Sequence, residues 1–202
     1  MKIVVFGATG MVGVRVAHEA TARGHAVTAV ARSGAHPVVP VDARDRDRVA
    51  DLLGTADAAV GAVRPRPGAE ASVPETTAAL LDAAAATGTP LLVVGGAAPL
   101  RSPDTAALVV DDERFVPAPW RAIALASLTQ LRVCEPHPAR WTYLSPPALL
   151  EPGERTGRYR RGTTTLLLDA DGRSRISAED LAVAVLDELE NPGGDRHFTV
   201  AY

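Results

Sequence analysis

A chain of 202 residues suffices for one large domain or two small ones, and its 47% hydrophobic and 22% charged residues are ordinary for a globular protein. A net charge of −3 gives no electrostatic reason to expect nucleic acid or an anionic membrane as partner, and no apolar run approaches the roughly 20 residues of a membrane span. The single cysteine, Cys134, excludes an internal disulfide and points to the cytoplasm, and the opening residues read as strand and loop rather than as a cleaved signal.

Taken in order, Ile3 to Phe6 is a short apolar run rich in β-branched residues, as a strand buried on both faces would be. It breaks into Gly7-Ala8-Thr9-Gly10-Met11-Val12-Gly13. A helical pattern then runs from Met11 to Arg23, with Val12, Val16, Ala17 and Ala20 on one face. Gly7 permits a sharp turn, Gly10 lets a pyrophosphate approach the amides at the helix start, and Gly13 lets the helix pack close to the sheet. Glycines at such spacing are common; set between a strand and a helix they form the phosphate loop of a dinucleotide site. Gly24 stops the helix, and Ala26 to Ala31 is a second strand. An acidic residue at the end of that strand would bind the ribose hydroxyls of NAD. Here Arg32-Ser33 stands instead, with no Asp or Glu from Arg23 through Pro40, which reads as NADPH.

Val38 to Val41 is a short third strand ending in Asp42-Ala43, before a charged helix from Asp45 to Leu53 for which Asp42 is a candidate cap. Ala58 to Val63 is the fourth strand, its Gly61-Ala62-Val63 end set against the cofactor's ribose, and Arg64 to Gly68 is a loop. Glu75 to Thr87 is an alanine-rich helix closed by Gly88, and Pro90 to Gly95 is the fifth strand. This alternation predicts an α/β fold with a doubly wound parallel sheet. Ala97 to Pro119 is long, carries four prolines and leaves the carboxyl end of a strand, so it reads as a lid or binding wall. Asp111 and Asp112 have no His or Cys at ligand spacing and read as a solvated charge run, with no metal.

Trp120 to Cys134 is a helix whose Ile123, Leu125, Leu128 and Leu131 are expected in the core. Trp141 to Ser145 is the sixth strand, with Trp141, Tyr143 and Ser145 on one face. Gly153 to Gly162 is basic and irregular, and Thr163 to Asp169 with Arg173 to Ile176 predicts a hairpin around Asp171-Gly172. Ser177 caps the last helix, and Arg196 to Ala201 is a final edge strand. With no repeat or linker, residues 1–202 read as one domain.

Gly7 to Gly13 resembles the opening motif of the atypical short-chain dehydrogenase/reductases that bind NAD(P). Val93-Val94-Gly95-Gly96-Ala97, Trp141 to Pro147 and Gly153 to Gly157 narrow the resemblance to the NADH-flavin reductase-like group, relatives of the biliverdin reductase B type. The resemblance spans nearly the whole chain and implies a Rossmann-like sheet. It also implies an adenine contact at Asp42-Ala43, which stands beside the helix-cap reading, and further cofactor contacts at Gly95 and Gly96. By the same resemblance Ser145-Pro146 lies beside the nicotinamide, and residues 150–176 form a reduced substrate cap.

The short-chain dehydrogenase relay pairs a tyrosine with a lysine four positions later. Tyr143 is followed at that spacing by Pro147 and Tyr159 by Thr163, and Lys2 is the only lysine, so the relay is absent. The five histidines, at 18, 25, 36, 137 and 197, show no pairing pattern; Tyr143 and His137 are the only candidates for a catalytic acid. The expected function is an NADPH-dependent reductase passing hydride to a flavin, a quinone or an aromatic metabolite, with FMN, FAD or riboflavin as substrate rather than as a bound group. The alternative is a non-catalytic NADP(H)-binding redox sensor. A small-molecule substrate and a monomer or homodimer are expected.

Overall fold

The computed structural model describes every residue of the chain except Ala35, Pro67 and Ala106. Strand β1 (Lys2–Phe6) lies inside an eight-stranded sheet, flanked on one side by β2 (Ala26–Ala31) and then β3 (Val39–Pro40). On its other side follow β4 (Ala58–Gly61), β5 (Leu91–Val94), β6 (Trp141–Ser145), β10 (His197–Ala201) and β8 (Arg160–Gly162). Every pairing in this sheet is parallel except that of β8 with β10. Strands β7 (Leu149–Glu151) and β9 (Arg175–Ser177) form a separate parallel pair. Helices α1 (Met11–Ala22) and α5 (Ala178–Glu190) pack on one face, and α2 (Arg46–Leu53), α3 (Val73–Thr87) and α4 (Arg121–Cys134) on the other. Among the described residues, no helix is long and apolar enough to cross a membrane.

Alternation along β1 sends Ile3 and Val5 into the α1–α5 layer with Leu181 and Val185, and Val4 and Phe6 into the opposite layer with Leu53 and Leu81. A strand covered on both faces has no polar side to show, hence the unbroken apolar run. Burial of each such side chain contributes about 1.5–3 kcal/mol.

Helix ends follow local chemistry. Gly24 and Gly88 adopt positive φ (82° and 70°), and the Ser177 hydroxyl accepts the Asp180 amide at 3.0 Å. Asp42, by contrast, is not the cap of α2. Asp45 is, accepting the Arg48 amide at 3.2 Å, because it stands immediately before the first helical residue.

Three expectations are corrected. First, the final strand is not at the edge: β10 sits between β6 and β8, and Phe198 to Ala201 are buried. The edge is β8, whose Arg160-Arg161-Gly162 carries little strand propensity but supplies the charged border that discourages edge-to-edge pairing. Second, the turn at Asp169–Arg173 forms, with the Arg173 carbonyl accepting the Asp169 amide at 2.8 Å, yet no hairpin grows from it. One arm pairs with Arg101 (Arg101 N to Thr164 O, 2.8 Å; Leu166 N to Arg101 O, 2.9 Å), while Arg175–Ser177 pairs with β7. Third, α4 turns a different stripe inward. Ala126, Gln130, Leu131 and Cys134 are buried, Ile123 and Leu128 are half-buried, and Leu125 is exposed. The small residues lead because this helix closes on a pair of glycines.

Residues 150–176 divide between two places. Gly153 to Gly157 run along α1 and α5: the Gly153 amide donates to Glu179, Arg155 forms a bidentate pair with Glu19 at 2.7 and 2.8 Å, and Thr156 and the Gly157 amide donate to Asp180 at 2.6 and 2.7 Å. Arg155 is the first cause that holds the largely buried Glu19 carboxyl down at about 2. Leu166 instead packs with Leu100, Val109 and Val116 of the long segment after β5. Within that segment the exposed Arg114 bridges Asp104 and Asp112 at 2.9 and 2.7 Å, and Asp112 accepts from Ser102 at 3.0 Å.

Candidate functional site

The chain leaves β1 at its carboxyl end, between β2 and β4, where strand order reverses direction and open α/β sheets bind ligands. Gly7 turns there with φ of +78°, and a Cβ on it would press into the Ala62 carbonyl, lying 2.8 Å from its carbon. The Gly7 and Ala8 amides donate to Val30 at 2.9 and 3.1 Å, tying the turn to β2. A Cβ on Gly13 would strike the Gly7 carbonyl, 2.7 Å from its carbon, so α1 starts in contact with the turn. Gly10 is different: its Cβ would meet only the Gly7 oxygen, at 3.2 Å. Gly10 is the cap residue of α1 and provides no side chain; the first turn carries no acidic residue. The amides of Met11, Val12 and Gly13 precede the first intrahelical bond, which Val14 makes to Gly10 at 3.0 Å. Ala8 is buried beneath, and Thr9 and Gly10 are exposed. An uncapped helix start with open glycine backbone and no opposing carboxylate fits a pyrophosphate.

Arg32 and Ser33 follow β2 and are exposed; Arg32 makes no hydrogen bond or ion pair with another described residue. Asp42 lies near enough to feel the Arg32 charge, but its carboxylate is held by Arg44, which first among the causes brings it down to about 2. Ala43 is buried; Gly61 ends β4, with Ala62 and Val63 half-buried after it.

Gly95 and Gly96 serve α4 closely. A Cβ on Gly95 would overlap the Tyr143 hydroxyl and lie 2.5 Å from the ring carbon Cε1; one on Gly96 would lie 2.8 Å from Ser127 Oγ. Tyr143 is fully buried, its hydroxyl within donating distance of the Ser127 carbonyl at 2.9 Å and of Gln130 Oε1 at 3.2 Å. Burial pushes the phenol well above its ordinary value. Ser145 is fully buried and Pro146 is buried; Ser145 Oγ hydrogen-bonds His197 Nε2 at 2.9 Å. His197, which the sequence shows without any partner, also meets the Tyr143 ring edge-on at 5.4 Å, and burial lowers its pKa. His137 stands before β6, at the amino ends of the strands and away from the phosphate turn, its Nε2 3.2 Å from Asp82 and its Nδ1 accepting the Ala139 amide.

A family description for NAD(P)H-binding proteins matches residues 7–192, running from the first glycine of the turn almost to the end of the chain. The chain belongs to this NAD(P)H-binding family. YwnB of Bacillus subtilis (strain 168) is 35% identical over 208 positions, covering 99% of this chain and 98% of YwnB. A solved structure from Burkholderia pseudomallei, provisionally called an exported protein, is 39% identical with a TM-score of 0.89, each chain covered completely. SP1627 of Streptococcus pneumoniae TIGR4, provisionally named an NADH-flavin reductase, is 28% identical with a TM-score of 0.89, covering 100% of this chain and 99% of its own.

In this NAD(P)H-binding chain Tyr143 does structural work. Tyr143→Phe removes the donor that reaches the Ser127 carbonyl and Gln130 inside the core, so a loss of about 1–3 kcal/mol in stability is expected from thermal melts. Turnover in the same variant should stay within about tenfold of wild type, below the gain a positioned general acid supplies. A thousandfold loss of turnover in a folded variant would return Tyr143 to the chemistry.

Proposed function

We propose that the protein is an NADPH-dependent reductase that delivers hydride to a planar conjugated acceptor of the flavin or quinone kind. The observation that carries this reading is the start of α1, where uncapped amides over Gly10 meet no carboxylate, together with an exposed Arg32 at the end of the neighbouring β2. The amides of Met11 to Gly13 would hold the pyrophosphate, Arg32 and Ser33 the 2′-phosphate, Asp42-Ala43 the adenine, and Gly61 to Val63 the ribose. The nicotinamide supplies the hydride; the chain supplies position and exclusion of water. Two features favour an acceptor that spreads its charge. The Tyr143 phenol is internal, and the one lysine, Lys2, opens β1 at the far end of the sheet. The name given to SP1627 adds support for a flavin acceptor. The segment after β5 and the arm around Leu166, joined through Arg101, would wall the acceptor side, and the Ser145-Pro146 turn at the end of β6 would lie beside the nicotinamide. The absence of a second cysteine supports a reducing compartment.

Oxidation of NADPH and of NADH, followed with FMN, riboflavin and a benzoquinone, tests the reading. Arg32→Ala should weaken NADPH by about 1.5–3 kcal/mol, the range of a hydrogen bond to a charged group, and leave NADH nearly unchanged. Equal losses for both cofactors, or a wild type that prefers NADH, would overturn NADPH as the cofactor. Tight NADPH binding without turnover of any acceptor would favour the redox-sensor alternative.

A further inference from the structure

We propose that Arg44 is a cofactor-positioning residue: it occupies both oxygens of Asp42 so that Arg32 meets a 2′-phosphate unopposed. This rests on the NADPH reading above and adds to it a second residue that never touches the cofactor.

Strands β2 and β3 pair in parallel with Ala31 opposite Pro40, and the Val41 amide donates to the Ala31 carbonyl at 2.9 Å. Arg32 and Asp42 therefore leave neighbouring strands at nearly one level, on the edge where the cofactor's ribose would lie. A carboxylate there is a liability for NADPH. It would repel the phosphate dianion directly, or draw the Arg32 guanidinium onto itself. Arg32 has not been drawn in: it is exposed and bonded to no described residue.

Arg44 accounts for this. Its Nη2 lies 2.7 Å from Asp42 Oδ2, its Nε 3.1 Å from Oδ1, and its own amide donates to Oδ1 at 3.0 Å. Two residues of separation place the fork and the amide on the same carboxylate, so a local turn and a bidentate pair reinforce each other. The remaining guanidinium nitrogen, Nη1, faces Glu75 at 3.7 Å. The bidentate edge of the fork is thus given to Asp42. Of the three groups Arg32, Asp42 and Arg44, two are cations and one an anion, a net charge of +1; removal of Arg44 makes it zero.

The test is equilibrium titration of purified wild type and variants with NADP⁺ and with NAD⁺, at low and at raised salt. In Arg44→Ala the preference for NADP⁺ over NAD⁺ should fall roughly tenfold at low salt and less at high salt, as expected for exposed charges. NAD⁺ affinity should hold. Asp42→Asn keeps an oxygen for the turn but removes the charge, so the double variant Asp42→Asn/Arg44→Ala should regain the wild-type preference. Circular dichroism verifies that each variant is folded. A preference that does not move in Arg44→Ala overturns the proposal. A fall that Asp42→Asn fails to reverse also overturns it, because Arg44 would then act on the phosphate itself. A wild type that favours NADP⁺ and depends on Arg32 while ignoring Arg44 sinks only this inference; a wild type that favours NAD⁺ sinks the NADPH reading with it.

Discussion

Gly13→Ala is expected to weaken NADP⁺ binding at least a hundredfold and to destabilise the protein by about 1–3 kcal/mol, the usual cost of overpacking. The added methyl would enter the Gly7 carbonyl and come within 3.0 Å of the Ala8 Cα, and all of these atoms are backbone. None can rotate away. Gly7 itself cannot retreat, because it is pressed against Ala62 on one side and bonded to Val30 on the other. The strain must therefore lift α1, and with it the amides that the phosphate turn depends on. Gly10→Ala is the informative contrast, since its methyl would meet one oxygen at 3.2 Å and the fold should bear it. Cofactor titration beside a thermal melt separates the two losses. Wild-type affinity in a folded Gly13→Ala protein would show that the turn is not the phosphate site.

Gly95→Ala is the second large effect, and it falls on stability. Its methyl would overlap the hydroxyl end of Tyr143, a ring with no exposure and with its oxygen bonded to Ser127 and Gln130. A flexible side chain could swing aside; a buried phenol bonded at its tip has nowhere to go. A loss of about 3 kcal/mol or more is expected, a fall in melting temperature of roughly 6–12 °C for a chain of this size. Pairing Gly95→Ala with Tyr143→Leu should recover part of that loss, because the shorter side chain vacates the overlapped space. A single variant that melts within about 2 °C of wild type would mean that the ring relocates freely, and the account of the β5–α4 contact would fail.

A neighbouring contact sets the inward face of α4. Of the apolar positions Ile123, Leu125, Leu128 and Leu131, only Leu131 is buried, and Ser127 is the residue that faces Gly96, where only a small group fits. The glycine pair was visible in the chain, but its close neighbour was not. His197 shows a related limit. Its partner Ser145 is 52 residues away and the two meet only because β10 lies beside β6. Arg44 is another matter. An aspartate followed two residues later by an arginine, just after a strand, is a turn signal readable in the sequence.

What the sequence determined by itself is what short-range chemistry controls. The phosphate turn, the glycine stops of α1 and α3, the Ser177 cap and the alternation of strand and helix depend on φ, on side chains within a few residues, or on apolar period, all of them contained in a local window. What only the tertiary structure decided is which elements become neighbours. β10 became an inner strand because β8 covered it, and the arms beside Asp171-Gly172 parted because Arg101 and β7 offered them longer-range partners. Tyr143 meets Ser127 and Gln130 for the same reason. A backbone hydrogen bond or a packed ring gains free energy from whichever partner the whole chain brings near, and sequence distance does not set that choice.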